Sequence, residues 1–345
     1  MSWPALKIIL AASIFDNGEQ SRGHTYEYYH FFQTLQGMAS IEFSLFDFMQ
    51  VMQVQGRERM NQAFLDAVKR ERPDLVLVIP FTDQLIPDIV DEINRHTITV
   101  GYFFDDMWRI AYARFWARHF RFITTSDSDG LRKFHAAGHT NVIFSPFCCN
   151  QRVFCKQNLP KKYDVSFVGQ YHPLRAWYLR VLRRAGISVD VWGSGWGTGR
   201  LNDAEMIQVF NQSKINLNLS NCVSWDLRYL ASSPRAVRNT LASVLKRDRK
   251  TREQVKGRHF EINACGSFQL SYYVEGLERC YQIGEEIAIY ASPGELVEKI
   301  RHYLKYQNER ETIAQRGYRR TLTEHTMEKR LAAIFEAVRL PRTPL

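Results

Sequence analysis

Short apolar runs, each followed by a stretch with apolar residues at helical spacing, recur along the whole chain. In the first half the runs at 6–12, 41–46, 75–80, 98–104, 122–125 and 142–144 read as strands, and 26–35, 57–70 and 86–95 read as amphipathic helices between them. The strands are apolar almost without alternation, the pattern of a parallel sheet covered on both faces. After a polar crossing at 151–162 the rhythm restarts, with strands expected at 164–168, 188–192, 215–219, 267–270 and 287–289. Helices are expected at 294–306, 309–324 and 327–338, broken at Ser292-Pro293 and His325-Thr326. The pattern predicts two α/β halves joined near residue 160 with a cleft between them, and no internal repeat.

Length agrees, since 345 residues exceed what one core usually serves. With 45% hydrophobic and 24% charged residues and a mean hydropathy of -0.34, the composition is that of a soluble globular protein. The net charge of +10 points to an anionic partner: nucleic acid, a phosphate-bearing small molecule or an acidic membrane surface. No interleaved basic and aromatic residues form a nucleic-acid module, so no specific nucleic acid is expected. Six cysteines with an adjacent pair, Cys148-Cys149, and no Cys-x-x-Cys argue for reduced, buried thiols rather than zinc or a disulfide framework. The apolar stretch near the N-terminus is far too short to span a membrane and reads as the first strand of a cytoplasmic protein.

Charge is concentrated in one place. Between Arg235 and Arg258 lie nine Lys/Arg and two acidic residues, with Val237, Leu241, Val244 and Leu245 on one helical face. Such a helix either packs on the second half or forms a surface for acidic lipid, at the inner face of the membrane, or for a polyanionic acceptor.

Several signatures are excluded. The loop Gly193-Ser-Gly-Trp-Gly-Thr-Gly199 gives no G-x-G-x-x-G register, and no P-loop pattern occurs. His135-Ala-Ala-Gly-His139 lacks the glutamate of a zincin. Asp127-Ser-Asp129 is either a metal-holding D-x-D or the cap of the helix that follows, and its place after a strand favours the cap.

A coherent constellation lies further on. Asp164-Val-Ser-Phe-Val-Gly-Gln-Tyr-His-Pro-Leu-Arg175 reads as strand, glycine turn and helix start, which presents N–H groups and a positive dipole end to a diphosphate, with Arg175 adding a charge-assisted contact. The simpler alternative is that Gly169 only makes a tight turn. Gly266 offers a second backbone opening, and Glu261 precedes it by little more than one helical turn. A carboxylate accepts two hydrogen bonds and donates none, so Glu261 suits a ribose diol.

From Asp164 onward the chain resembles the group 1 glycosyltransferases, most closely their CgeB-like (spore maturation) branch. The resemblance rests on Val165-Ser-Phe-Val-Gly169 with Arg175, Val191-Trp-Gly-Ser-Gly-Trp196, Lys214-Ile-Asn-Leu-Asn-Leu219, Arg258-His-Phe-Glu-Ile-Asn-Ala-Cys-Gly266, Gly284-Glu-Glu286 and Glu324-His-Thr-Met-Glu-Lys-Arg-Leu331. The first half fits more loosely, through Tyr102-Phe-Phe-Asp-Asp106, Ile123-Thr-Thr-Ser-Asp127 and 141–154.

The resemblance implies a GT-B fold: an acceptor-side Rossmann-like domain over 1–155, a nucleotide-sugar donor domain over 160–325, and a crossover helix and tail over 326–345. It implies sugar transfer from a nucleotide-diphosphate donor to an unidentified acceptor, with retention and with neither a catalytic metal nor a cofactor. Glu261 looks like the ribose-binding glutamate, Gly169 and Arg175 like the diphosphate-contacting turn and base, and Gly193, Gly195 and Trp196 would lie near the nucleobase. Gly266 and Ser267 complete the donor set. Glu253 stands eight positions before Glu261, the spacing of a Glu-x7-Glu pair whose first member contacts the donor sugar. Gln170 stands where relatives carry Arg, which shifts diphosphate binding toward Arg175 or Arg258. Asp106 and His24, facing the expected cleft, are candidates for orienting the acceptor hydroxyl. A GT-B epimerase or phosphorylase, or a non-catalytic sugar-nucleotide or polyanion-binding protein, are the alternative readings.

Overall fold

In a computed structural model, which describes residues 6–104, 108–245 and 253–339, the apolar runs do form strands. The first sheet has six parallel strands in the order β2-β1-β3-β4-β5-β6, with β1 (Leu6–Ala11), β2 (Ile41–Phe46), β3 (Leu75–Val78), β4 (Ile98–Gly101), β5 (Phe122–Thr125) and β6 (Val142–Phe144). The central β3, Leu-Val-Leu-Val, is buried at every position, as a strand covered on both faces must be.

The helices between these strands are α1 (Gln33–Gln36), α2 (Phe48–Gln55), α3 (Arg57–Glu71), α4 (Pro87–Ile93), α5 (Ile110–Trp116) and α6 (Gly130–Ala136). The helical stretch expected at 26–35 contains a π-turn, Tyr28–Phe32, that leads into α1. The sequence pattern did not single out α2. Its start is fixed by Asp47, whose carboxylate accepts from Met49 N and Gln50 N, each at 3.1 Å. Phe48, Met60, Phe64, Val68, Val76, Trp116 and Phe134 share the core on one side of this sheet.

The second sheet has five parallel strands in the order β11-β10-β9-β7-β8: β7 (Tyr163–Val168), β8 (Asp190–Trp192), β9 (Ser213–Asn218), β10 (Gln269–Tyr272) and β11 (Ala288–Tyr290). Its helices are α7 (Pro173–Arg184), α8 (Asp203–Gln212), α9 (Leu227–Leu230), α10 (Pro234–Leu245), α11 (Arg258–Ala264), α12 (Pro293–Lys305) and α13 (Gln307–Glu324). The break at Ser292-Pro293 is a helix start, with Ser292 Oγ accepting from Glu295 N at 3.2 Å. Buried Asn216, on central β9, is satisfied by donating to Phe210 O and Phe268 O and accepting from Ser166 Oγ.

The chain divides into two compact units, one running to Pro146 and resuming at Met327, the other spanning residues 147–326. The division thus falls earlier than 155, and the last helix, α14 (Met327–Ala337), packs with the first unit. Arg330 Nε of α14 donates to Pro146 O at 3.1 Å. All six cysteines are free. Among the described residues no helix is long and apolar enough to cross a membrane.

Candidate functional site

In the second sheet β8 lies on one side of β7 and β9 on the other, so the chain changes direction between β7 and β9. Open parallel sheets bind ligands outside the C-terminal ends of their strands at such a point. Here that edge is formed by the Gly169 turn after β7, the glycine loop after β8, the segment after β9 and Tyr272 at the end of β10.

The first two loops are fused into one layer. Gly169 N donates to Trp192 O at 2.9 Å, Tyr171 N to Ser194 O at 2.8 Å, and the Trp196 indole N–H to Gly169 O at 2.8 Å. Gly193 has a φ of +142°, and a Cβ there would lie 2.1 Å from Gly169 O. The two turns can approach this closely only because Gly193 has no side chain. Trp196, expected beside a nucleobase, spends its N–H on this contact, and its indole packs edge-on against Tyr171, with ring centroids 4.9 Å apart. The Gln170 side chain is exposed.

Arg175 sits at the switch point. On the first turn of α7, which Pro173 and the capping ring of His172 start, it donates from Nε to Leu219 O and from Nη1 to Gln170 O, both at 2.9 Å. One guanidinium therefore links the ends of β7 and β9. Burial pulls its pKa down, while Tyr272 and Glu253 oppose that pull.

Glu253 reaches the same place from the other side. Its Oε1 accepts from Cys222 N at 2.9 Å and from the Ser220 hydroxyl, while Oε2 lies 3.6 Å from Lys256 Nζ. Lys256 Nζ also donates to Asn221 Oδ1 at 2.6 Å. Next to this group Asn218 Nδ2 is buried without a hydrogen-bond partner in the protein, and the buried Tyr272 hydroxyl faces Glu253. Asn218 and Tyr272 belong to neighbouring strands, Asn218 pairing in register with Ser271. A buried orphan donor at the mouth of a sheet is what a polar ligand would satisfy. Burial, then the Glu253 charge, raises the Tyr272 pKa well above the ordinary phenol value.

His259 supports the arrangement from below. Its Nδ1 lies 3.0 Å from Lys256 N and 3.1 Å from Lys256 O, and its Nε2 lies 3.0 Å from Ser271 Oγ. Complete burial lowers its pKa to about 4, which keeps the imidazole neutral.

The other sequence candidates fall elsewhere. Glu261 and Arg258 are not independent ligand groups, because Arg258 Nη1 bonds Glu261 Oε2 and the guanidinium lies over the Phe210 ring at 5.2 Å. Glu261 is buried, and the pair engages one of its two carboxylate oxygens. Gly266 and Ser267 do not join the Gly169 turn. The strands are parallel, Gly169 follows β7 and Gly266 precedes β10, so the two glycines lie at opposite edges, about 20 Å apart along the strand direction. Gly266, with φ +65°, instead packs on the Lys156 stem, and Ser267 Oγ donates to Phe210 O at 2.7 Å.

In the first unit His24 stacks on Tyr28, with centroids 3.8 Å apart, and follows β1, where the chain also changes direction between β1 and β3. Asp106 lies outside the described residues. Asp127 accepts from Asp129 N at 2.8 Å, and Asp129 pairs with Arg132 and Lys133. The expected cap is therefore an aspartate turn ahead of α6, and Asp129 makes no cap bond itself.

Sequence reasoning missed Lys256, Asn221, Tyr272 and His259. Only Lys256 left a trace, three positions after Glu253.

The site contains two cations, Arg175 and Lys256, around one acid, Glu253, with an orphan polar group beside them. This set can hold an anion while the acid accepts hydroxyl protons.

Residues 175–336, just under half of the chain, match a family model described as "Glycosyl transferase-like". No curated protein sequence matches the chain significantly. Among solved structures, sucrose-phosphate synthase from Thermosynechococcus elongatus superposes with a TM-score of 0.65 at 10% identity, covering 97% of this chain and 98% of its own. Anabaena HepE in complex with UDP and glucose gives 0.61 at 10% identity, covering 97% and 100%. A glycosyltransferase from Rickettsia africae gives 0.60 at 10% identity, covering 97% and 99%. The fold is that of the GT-B glycosyltransferases, two Rossmann-like domains each built on a parallel sheet.

Proposed function

We propose that the protein is a metal-independent hexosyltransferase that moves a sugar from a nucleotide-diphosphate donor to an acceptor hydroxyl with retention of configuration. The CgeB-like branch is the nearest kind by its motifs. One observation carries the reading: a half-buried arginine, Arg175, bridges the two strand ends at the switch point beside Glu253. The donor diphosphate lies against Arg175 and Lys256, and Glu253 accepts from donor-sugar hydroxyls. HepE, which shares the fold, holds UDP and glucose.

In the transfer the bond from the sugar anomeric carbon to the diphosphate oxygen breaks, and its electron pair leaves with the diphosphate. The acceptor oxygen bonds that carbon, and its proton passes to the departing diphosphate. Arg175 and Lys256 meet the charge that develops on the leaving group, in a site that needs little reorganisation. His24 in the first unit is our candidate for orienting the acceptor.

Donor hydrolysis and transfer, measured over UDP, GDP, ADP and dTDP sugars, test this. Arg175→Lys and Glu253→Gln should each lower kcat/KM by about 100-fold with circular dichroism unchanged. Unaltered turnover and nucleotide affinity in both variants would refute the assignment. Product analysis without acceptor separates an epimerase or phosphorylase, and binding without turnover identifies a non-catalytic protein.

A second reading concerns where the enzyme works, which we take to be the cytoplasmic face of an acidic membrane. The buried side of α10 is Ala236 and Thr240, whereas Val237, Leu241 and Leu245, four residues apart, are 41%, 51% and 80% exposed. Exposed Arg235 and Arg238 share this helix. An apolar stripe among arginines suits the interface of an anionic bilayer. Co-flotation with vesicles of phosphatidylglycerol and phosphatidylcholine tests it. Leu241→Ser with Leu245→Ser should abolish flotation, and undiminished flotation of that variant would exclude this surface.

A further inference from the structure

At the edge of the second sheet opposite the donor site, a cavity of about 360 Å³ opens between the start of β9, the turn before β10, the 156–161 segment and α13. Four cations line it, Lys156, Lys161, Lys214 and Arg310, against a single acid, Glu311. Lys214 pairs with Asp164 at 2.6 Å. The other three have no carboxylate within ion-pair distance among the described residues.

Each of these three is positioned by the fold. Lys161 Nζ donates to Asn211 O at 2.7 Å and Ser213 O at 2.9 Å, at the C-terminal end of α8, leaving one ammonium N–H beyond those two. Arg310, only 5% exposed, donates Nη1 to Tyr303 O at 2.5 Å. The Lys156 stem packs on Gly266, where a Cβ would lie 2.9 Å from Lys156 Cδ. Buried Asn211 fixes the segment that carries Lys156 by accepting from Gln157 N at 2.7 Å and donating to Cys155 O at 3.2 Å.

The cations act on one another. Lys161 is held below the ordinary lysine range first by burial and then by the charge of Arg310, with Lys156 adding to it. A cluster of like charges around a polar cavity is costly when nothing opposes it, and a bound anion removes that cost. Glu311 does so only in part, since it is exposed and accepts from Gln307 Nε2 at 2.8 Å.

We propose that this cavity, with Lys156, Lys161 and Arg310 as its cationic ligands, is a second anion site that takes a phosphate group. The volume accommodates a phosphomonoester of monosaccharide size, since a water occupies about 30 Å³ of liquid. The chemistry is shared by inorganic phosphate and by a sugar phosphate. Because the cavity is at the N-terminal edge of the strands and the donor site at their C-terminal edge, a ligand here binds together with a nucleotide rather than in its place.

Isothermal titration of the full chain with inorganic phosphate and with glucose 6-phosphate, at constant ionic strength, tests the site. Both should bind wild type, and a tighter fit for glucose 6-phosphate identifies the sugar phosphate as the source. Lys156→Ala and Arg310→Gln should each weaken binding about tenfold, the loss of one charge-assisted contact, while UDP affinity stays unchanged in Lys156→Ala. Should Arg310→Gln fail to fold, the exposed Lys156→Ala decides alone. Wild type that binds neither probe, equal binding by wild type and Lys156→Ala, or competition between phosphate and UDP would overturn the proposal. If Arg175→Lys abolishes UDP binding while phosphate still binds, this site stands apart from the donor reading.

Discussion

His259 shows how a single side chain sets a condition on the whole site. Its pKa falls from the usual 6.5 to about 4 on folding, so between those values the unfolded chain binds the proton that the folded chain refuses. The stability it confers is complete above pH 6.5 and drains away as pH falls toward 4. Between pH 7 and pH 5 this amounts to roughly 2 kcal/mol. Urea unfolding of wild type and His259→Gln at the two pH values should show a pH dependence smaller by that amount in the variant, and equal slopes would remove the assignment. At this scale the sequence was partly legible. Glu253 was singled out because its eight-residue offset from Glu261 is a local distance along the chain. Its partners Ser220, Asn221 and Cys222 were not, because the fold, not the spacing, brings them to it. Gly266 was misassigned for the same reason: a glycine before a strand and one after a strand look alike in sequence but lie at opposite edges of a parallel sheet.

Elements were read more readily than contacts. A doubly covered strand must be apolar at consecutive positions, and this property marked β1 and β3 directly. Strand order leaves no such mark, so the switch points beside β1 and β7 became visible only in the folded chain. For α10 the pattern offered two partners for one apolar face. The structure buries small residues, Ala236 against Leu174 and Trp177 of α7 and Thr240 beside it, which leaves the large aliphatic residues outside. A periodicity argument finds the stripe, whereas packing decides which side of the helix is the inside.

On the scale of the molecule, the last helix belongs to the unit that the chain left 180 residues earlier. Met327, Leu331, Ile334 and Phe335 of α14 are all 0% exposed. Four such side chains are worth roughly 6–12 kcal/mol, about the whole stability of a typical domain. A chain ending at residue 326 should therefore lose the calorimetric transition of the first unit and keep that of the second, with trypsin leaving a fragment near 147–326. Two intact transitions in the shortened chain would show that α14 is dispensable.

The ends of the second unit meet. Cys149 pairs with Thr326 in a parallel bridge, and Cys149 N donates to His325 O at 3.0 Å. The entering and leaving segments of chain are thus stitched side by side, and the second unit is a cassette inserted into the sequence of the first with its two ends together. Such a cassette can be exchanged between relatives at residues 146/147 and 326/327 without altering the connections within either sheet.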